Sequence, residues 1–318
     1  MSQSLSISAL VATRNRHQSF NRMLNSLATQ SAQPQEMVVI DGSTNNETEK
    51  LCHTRISNLN TKIIYHKATE IGAATQRNQA MQYATQDTIW LLDDDITFEP
   101  NCVEKLWQAL NTDAKLGGVN AMITNQKYLP PGKISRYLFW FLHGQRESSY
   151  AGKCIGPAFN LLPEDNPNLP EIVPVEWLNT TCVMYRKEAL PNPLFPSIFT
   201  GYSLMEDVTL SLTVGKQWKL ANARTARIFH DSQPGEHKNN QGVLAKMDLV
   251  NRHYVMTQIL ARKTLHDYFK LFILQLFGIV AFIVSEKQWK SLPKILLGKL
   301  SAMEEIIFYP YQTTGSKL

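Results

Sequence analysis

Three aspartates in a row, Asp93, Asp94 and Asp95, follow the apolar run Thr88 to Leu92. Like charges set that close repel unless a cation or a proton compensates. Side chains alternate along extended backbone, so Asp93 and Asp95 point the same way and can share one hard, oxygen-preferring divalent ion while Asp94 turns aside. A solvated acidic turn is the competing reading of the same triplet. A second carboxylate pair, Glu206 and Asp207, heads an apolar pattern continued by Leu210, Leu212 and Val214, a helix start that acids favour whatever else they do. His230 closes the strand-like Ala226 to Phe229. Cys52, Cys102, Cys154 and Cys182 are far apart with no CxxC pair, which excludes a zinc-ribbon pattern or a disulfide framework.

These residues need elements to hold them. Leu5 to Thr13 reads as a buried strand, followed by a helix that Ser19 can cap and on which Phe20, Leu24 and Leu27 form one stripe, ending near Pro34. Met37 to Ile40 and Lys62 to His66 are the next strands, Thr75 to Thr85 has helical character, and Thr88 to Leu92 is a fourth strand. Asn101 with Glu104 three residues later forms a capping box for a helix burying Val103, Leu106, Trp107 and Leu110. Strands alternating with helices predict βαβ units, a mainly parallel sheet and right-handed crossovers. Ligands of such sheets bind beyond the carboxyl ends of the strands, where Thr13 to Arg16, Asp41-Gly42 and Asp93 to Asp95 fall. No GxGxxG follows the first strand and no GxxxxGK[ST] occurs, so both common nucleotide fingerprints are missing.

The ordered set Val11-Ala12-Thr13-Arg14-Asn15-Arg16, Val38-Val39-Ile40-Asp41-Gly42-Ser43, Gly72 to Ala80 with Arg77, Leu91-Leu92-Asp93-Asp94-Asp95 and Glu206-Asp207 resembles the family 2 glycosyltransferases of the GT-A fold, over about residues 5 to 232. The resemblance implies an α/β, Rossmann-like domain that transfers a sugar, with inversion, from a nucleotide-diphospho-sugar to an acceptor hydroxyl. It puts Thr13, Asn15, Arg16, Asp41, Arg77, Asp93 and Asp94 on the donor, with Asp41 at the nucleotide base (favouring UDP or dTDP) and Arg77 at the nucleotide end. It puts Asp93, Asp95 and His230 on Mg2+ or Mn2+. Asp207 becomes the base, Glu206 its acceptor-binding neighbour, and Trp177 part of the acceptor side, where Thr180 departs from the Gly of many members. A sugar-phosphate nucleotidyltransferase and a non-catalytic sugar- or nucleotide-binding module are the alternatives.

The chain has 318 residues, 43% apolar and 19% charged, with net charge +5, a globular composition. From Gln241 to Leu318 ten Lys/Arg face five Asp/Glu, while the remainder balances. A neutral body with a basic end argues against nucleic-acid binding and for a local anionic contact. We expect a GT-A domain over 1–235, in which 127–175 is an irregular acceptor-side insertion, and a helical, basic segment over 236–318. Its uncharged stretch Leu271 to Ser285, edged by lysines and Trp289, suits contact with the cytoplasmic membrane surface, with a packed core helix as the bland reading. Residues 1–20 carry no basic-then-apolar leader pattern, and the expected location is cytoplasmic, peripheral at the inner face of the membrane. The acceptor is then a carbohydrate or lipid-linked molecule of surface-polysaccharide or glycolipid assembly. Asp231 to Gln241, with Gly235 and Gly242 as hinges, is a candidate lid.

Overall fold

The computed structural model describes residues 2–54, 56–232, 240–286, 289–308 and 311; Gly235 and most of the candidate lid, like the 235/236 boundary, lie outside them. The strands are β1 (Gln3–Thr13), β2 (Ala32–Asp41), β3 (Lys62–Lys67), β4 (Thr88–Leu92), β5 (Ile96–Phe98), β6 (Leu116–Ile123), β7 (Cys154–Ile155), β8 (Phe159–Asn160), β9 (Ile172–Val175), β10 (Cys182–Arg186) and β11 (Lys219–His230). The α-helices are α1 (His17–Ala28), α2 (Glu47–His53), α3 (Ala73–Met81), α4 (Cys102–Leu110), α5 (Lys133–His143), α6 (Glu206–Val214), α7 (Gln241–Tyr254), α8 (Leu265–Glu286) and α9 (Leu292–Phe308). They group into two units. The first holds Met1–Leu129, Tyr150–Lys153 and Asn160–Gln233; the second holds Pro130–Ser149, Cys154–Phe159 and Pro234–Leu318.

In the first unit a nine-stranded sheet runs β3-β2-β1-β4-β10-β6-β11-β5, with β9 also on β11. β1 to β4, β6 and β11 run one way; β5, β9 and β10 run against them. The fold is therefore a mixed, mostly parallel α/β sheet, as the alternation of strands and helices required. β1 and β4 are apolar runs without strict alternation because both faces are covered: Ile7, Ala9, Leu10, Val11, Ile89, Trp90, Leu91 and Leu92 are all buried. Phe20, Met23, Leu24 and Leu27 of α1 and Val103, Leu106 and Leu110 of α4 join that core, matching the predicted stripes.

Register decides where the chemistry lies. Thr13 pairs with Asp41, Val11 with Leu92, and Leu92 with Cys182. The ends of β1, β2 and β4 thus reach one rim, and the Asp231 amide donates to the Asp95 carbonyl at 2.8 Å, bringing the end of β11 there too.

Three local expectations change. Helix α1 begins at His17, so Ser19 lies inside its first turn and accepts from Arg22 instead of capping. Asn101 does precede α4, but at φ 62° it makes no side-chain cap, and Glu104 accepts from Ser31 and Gln108. Within 127–175, expected as irregular, Lys133–His143 forms helix α5, because its aromatic run buries Phe139 and Leu142 at helical spacing.

Candidate active site

Asp93, Asp95 and His230 converge: one ligand atom from each lies within 4.8 Å of the others. Asp93 leaves the end of β4 half-buried, Asp95 is buried, and His230 ends β11. His230 Nε2 stands 3.1 Å from Asp95 Oδ1, and Gln126 Nε2 is 3.3 Å from Nδ1 of the same ring. Asn125 clamps the His230 backbone at both its amide and its carbonyl. Two carboxylates and an imidazole are a donor set that suits a small divalent cation. Positive charge already sits beside it, since Arg16 donates to Asp95 Oδ2 at 2.9 Å and lies 3.2 Å from Asp94 Oδ1.

Asp94 turns aside as expected, but into the protein. It is buried and accepts from Thr13 Oγ1 at 2.6 Å; burial pushes its carboxyl up to about 7 against the opposing pull of Arg16. Thr13 and Asp94, expected on the donor, therefore spend their side chains on each other and lock the ends of β1 and β4 together. Asn15 is similarly occupied: its Oδ1 accepts from the Thr44 amide and hydroxyl, tying the turn after β1 to the turn after β2.

Asp41 is fully buried. Its Oδ1 accepts from the Ser43 amide, and its Oδ2 from the Tyr65 hydroxyl at 2.9 Å and Lys67 Nζ at 3.2 Å. Both oxygens carry partners, and Asp41 anchors a β2–β3 polar cluster. Trp177, expected on the acceptor side, is 5% exposed and donates its indole N–H to the Leu161 carbonyl at 2.7 Å. A large ring next to an apolar Leu178 gains more from burial than from standing in solvent.

Arg77, expected at the nucleotide end of the donor, lies between two carboxylates. It is buried, donates to Asp93 Oδ1 at 2.6 Å and forms a short ion pair with Glu206. It forms an internal strut between the carboxylates at the end of β4 and the start of α6. Glu206 also accepts from Thr180 Oγ1 at 3.2 Å, while its Oε2 is buried with no partner among the described residues. Burial pushes the Glu206 carboxyl up to about 7 against Arg77. Burial also raises Asp207, to about 6, against the Val208 amide and Arg77. Such values suit proton acceptance near neutral pH.

The chain just before this pair is strained. Gly201, Ser203 and Met205 all have φ near 60–70° (59°, 58° and 72°), a region that non-glycine residues enter at a cost and that recurs at functional sites. The Ala73 amide donates to the Gly201 carbonyl at 3.1 Å. A Cβ on Gly72 would stand 3.1 Å from the Gly201 nitrogen, so glycine is needed for this approach. The contact joins α3, which carries Arg77, to the turn that carries Glu206.

Sequence reading missed several supports. Gln76 donates to the Thr13 and Ile40 carbonyls, and Thr180, Tyr65, Lys67 and Gln126 have the roles given above. Only Thr180 carried a signal, as a departure from the family pattern.

No curated protein matches the chain. Among solved structures, S. aureus TarS 1–349 in complex with UDP-GlcNAc is similar at TM-score 0.55 and 15% identity, over 94% of this chain and 81% of that one. Mannosyltransferase PcManGT from Pyrobaculum calidifontis, in complex with GDP-Man and Mn2+, is similar at TM-score 0.53 and 13% identity, over 96% and 88%. GalNAc-T7 with UDP, GalNAc and Mn2+ is similar at TM-score 0.54 and 15% identity, over 80% of this chain, which spans 48% of that one, about half its length. At these identities the likeness establishes the GT-A fold. The description Glycosyl transferase family 2 matches residues 8–172, over half the chain, and with the fold and the carboxylate rim in place the chain belongs to glycosyl transferase family 2.

Proposed function

We propose that the chain is an inverting glycosyltransferase, dependent on Mg2+ or Mn2+, that moves a sugar from a nucleotide-diphospho-sugar to an acceptor hydroxyl. One observation carries the reading: buried Arg77 ties Glu206, at the head of α6, to Asp93, at the end of β4. A proton-accepting pair and a cation-binding cluster thereby share one rim. Asp93, Asp95 and His230 would hold the cation, and when bound it supplies Lewis-acid stabilisation of the departing diphosphate.

The protein's own residues do the rest. Asp207 takes the acceptor proton as the acceptor oxygen bonds to the anomeric carbon. The bond from that carbon to the diphosphate oxygen breaks, and its electron pair leaves with the nucleotide. A single displacement of this kind inverts the anomeric centre. Glu206, held by Arg77 and Thr180, is the acceptor-binding neighbour of Asp207. Arg16, half-buried beside Asp94 and Asp95, is placed to meet diphosphate oxygens. Asp41 shapes the base pocket through the Ser43 turn and Tyr65. UDP or dTDP is the favoured nucleotide, supported by the uridine nucleotides of two structural neighbours. We assign catalysis to 1–235 and place the acceptor, a carbohydrate or lipid-linked molecule of surface-polysaccharide or glycolipid assembly, at the cytoplasmic face of the membrane, with the basic 236–318 segment directed there.

Thermal unfolding with UDP, dTDP and GDP, each with and without Mn2+, tests the site. A ligand at 100 times its Kd adds about 2.7 kcal/mol. The expected result is a Mn2+-dependent shift for one nucleotide, lost in Asp95→Ala. A shift unaffected by Mn2+ or by Asp95→Ala would overturn the cation assignment.

A further inference from the structure

The second unit carries a feature that catalysis does not use. Its sequence holds 14 Lys/Arg against 7 Asp/Glu, a net +7, while the first unit is at −2. The same unit exposes rows of large apolar side chains on three helices. On α8, Tyr268, Phe272, Leu276, Val280 and Val284 recur every fourth residue, all exposed, with Phe272 at 57%. Leu271 and Leu274 of that helix are buried on one side, and Ile283 is buried further along. On α9 the outward set is Leu296, Leu297, Leu300, Met303 and Ile307, against a buried Ile295, Gly298 and Ala302. On α5, Ile134 (85% exposed), Tyr137 and Trp140 follow one another at three-residue spacing, opposite the buried Phe139 and Leu142.

Helices α5 and α9 thus each have one face packed and one apolar face turned out, and α8 is exposed along most of its length. Helices α5 and α8 are linked within the unit, and α9 crosses the start of α7 at Gly298. Phe141 of α5 meets His266 and Phe269 of α8 edge-on, and Lys270 Nζ donates to the Leu142 carbonyl. The cations stand beside the apolar rows: Lys133 and Arg136 flank Ile134 and Tyr137, Arg146 lies over the Trp140 ring at 4.3 Å, and Lys290 follows the exposed Trp289.

We propose that α5, α8 and α9 form a single monotopic surface that lies in the interface of an anionic lipid bilayer, with the apolar rows among the upper acyl chains and the Lys/Arg at the headgroups. Positive charge beside apolar rows and amphipathic Tyr and Trp is what such an interface selects. A partner protein or a second copy would match the apolar rows but would not by itself call for the +7. By length and composition α8 could cross a membrane, since Leu265–Val284 has a mean hydropathy of 1.9. Three features set it on the surface instead. The uncharged run 271–285 makes only about 22 Å of helix, short of the ~30 Å hydrocarbon core. The first turns of α8 are held on α5 by Lys270 and Phe269, with Leu271 and Leu274 buried. Its first turn is fixed by a reciprocal cap between Thr264 and Asp267. The proposal deepens the membrane reading of the acceptor but is independent of the chemistry of transfer.

The test is flotation of the full chain with vesicles of phosphatidylcholine alone and with about one third phosphatidylglycerol. Binding is expected to the anionic vesicles, to weaken as salt is raised, and to be released by alkaline carbonate. The exposed-site variants Phe272→Glu with Val280→Glu, and separately Ile134→Glu with Tyr137→Glu, should each lower vesicle affinity at least about tenfold. Thermal unfolding of each variant checks folding, and transfer to a soluble acceptor reads the catalytic claim separately. Carbonate-resistant protein would mean that α8 spans, and wild-type affinity in both double variants, or a salt-insensitive dimer that covers the rows and leaves vesicles unbound, would overturn the proposal.

Discussion

At the residue scale the site is a chain of buried charges whose strut is Arg77. Removing the strut leaves Glu206 and Asp93 facing each other across a buried gap. Arg77→Met is therefore expected to cost about 3–5 kcal/mol in urea unfolding; a cost under 1 kcal/mol would mean the ion pairs are dispensable. The raised carboxyls set two pH dependences. Asp207, at about 6, must be ionised to accept a proton, so the transfer rate should rise with pH through about 6 and level off above it. Glu206 is raised from 4.5 to about 7, so the stability it contributes is fully present below about pH 4.5 and is lost as pH climbs through 7. The metal-free protein should lose stability over that window, and Glu206→Gln should remove on the order of 3 kcal/mol of the fall, measured by thermal unfolding across pH. The residue types were legible in the sequence; their partners were not. Asp93 and Asp95 come together as alternation predicted, although the strand ends at Leu92 and it is a turn through Asp94 and Asp95 that brings them there. That Arg77 would reach Glu206, 129 residues away, depends on a tertiary approach between Gly72 and Gly201 that no local pattern encodes.

At the scale of elements, what could be read was what periodicity controls. Strands β1 and β4 and the stripes of α1 and α4 follow from where apolar side chains must go. The caps did not, since Asn101, left-handed at φ 62°, makes no side-chain cap bond to the helix it precedes. Pro34 reads as a helix stop yet lies inside β2, opposite Leu5 where the β1 register shifts and no ladder donor is needed. A comparable steric fact governs the second unit. A Cβ on Gly298 of α9 would lie 2.1 Å from the Gly242 carbonyl oxygen at the start of α7, so the two helices cross backbone to backbone. Gly298→Ala is expected to destabilise by about 1–3 kcal/mol, read as an earlier melting transition. An unchanged transition would mean the crossing relaxes freely.

At the scale of the whole molecule, sequence order and spatial grouping part company. The segment 130–149 belongs by packing with helices more than one hundred residues later, a grouping decided by which apolar faces meet and so invisible along the chain. The charge division follows the same lines, with the excess on the unit that carries the exposed apolar helices. The carboxylate rim and its strut lie wholly within the other unit. The measurement that tests the central claim most directly compares Asp207→Asn with the parent chain, recording sugar transfer from a nucleotide-sugar and donor affinity on the same samples. The account predicts transfer lowered by roughly 10²- to 10⁴-fold with donor affinity retained, and full turnover by the variant would contradict it.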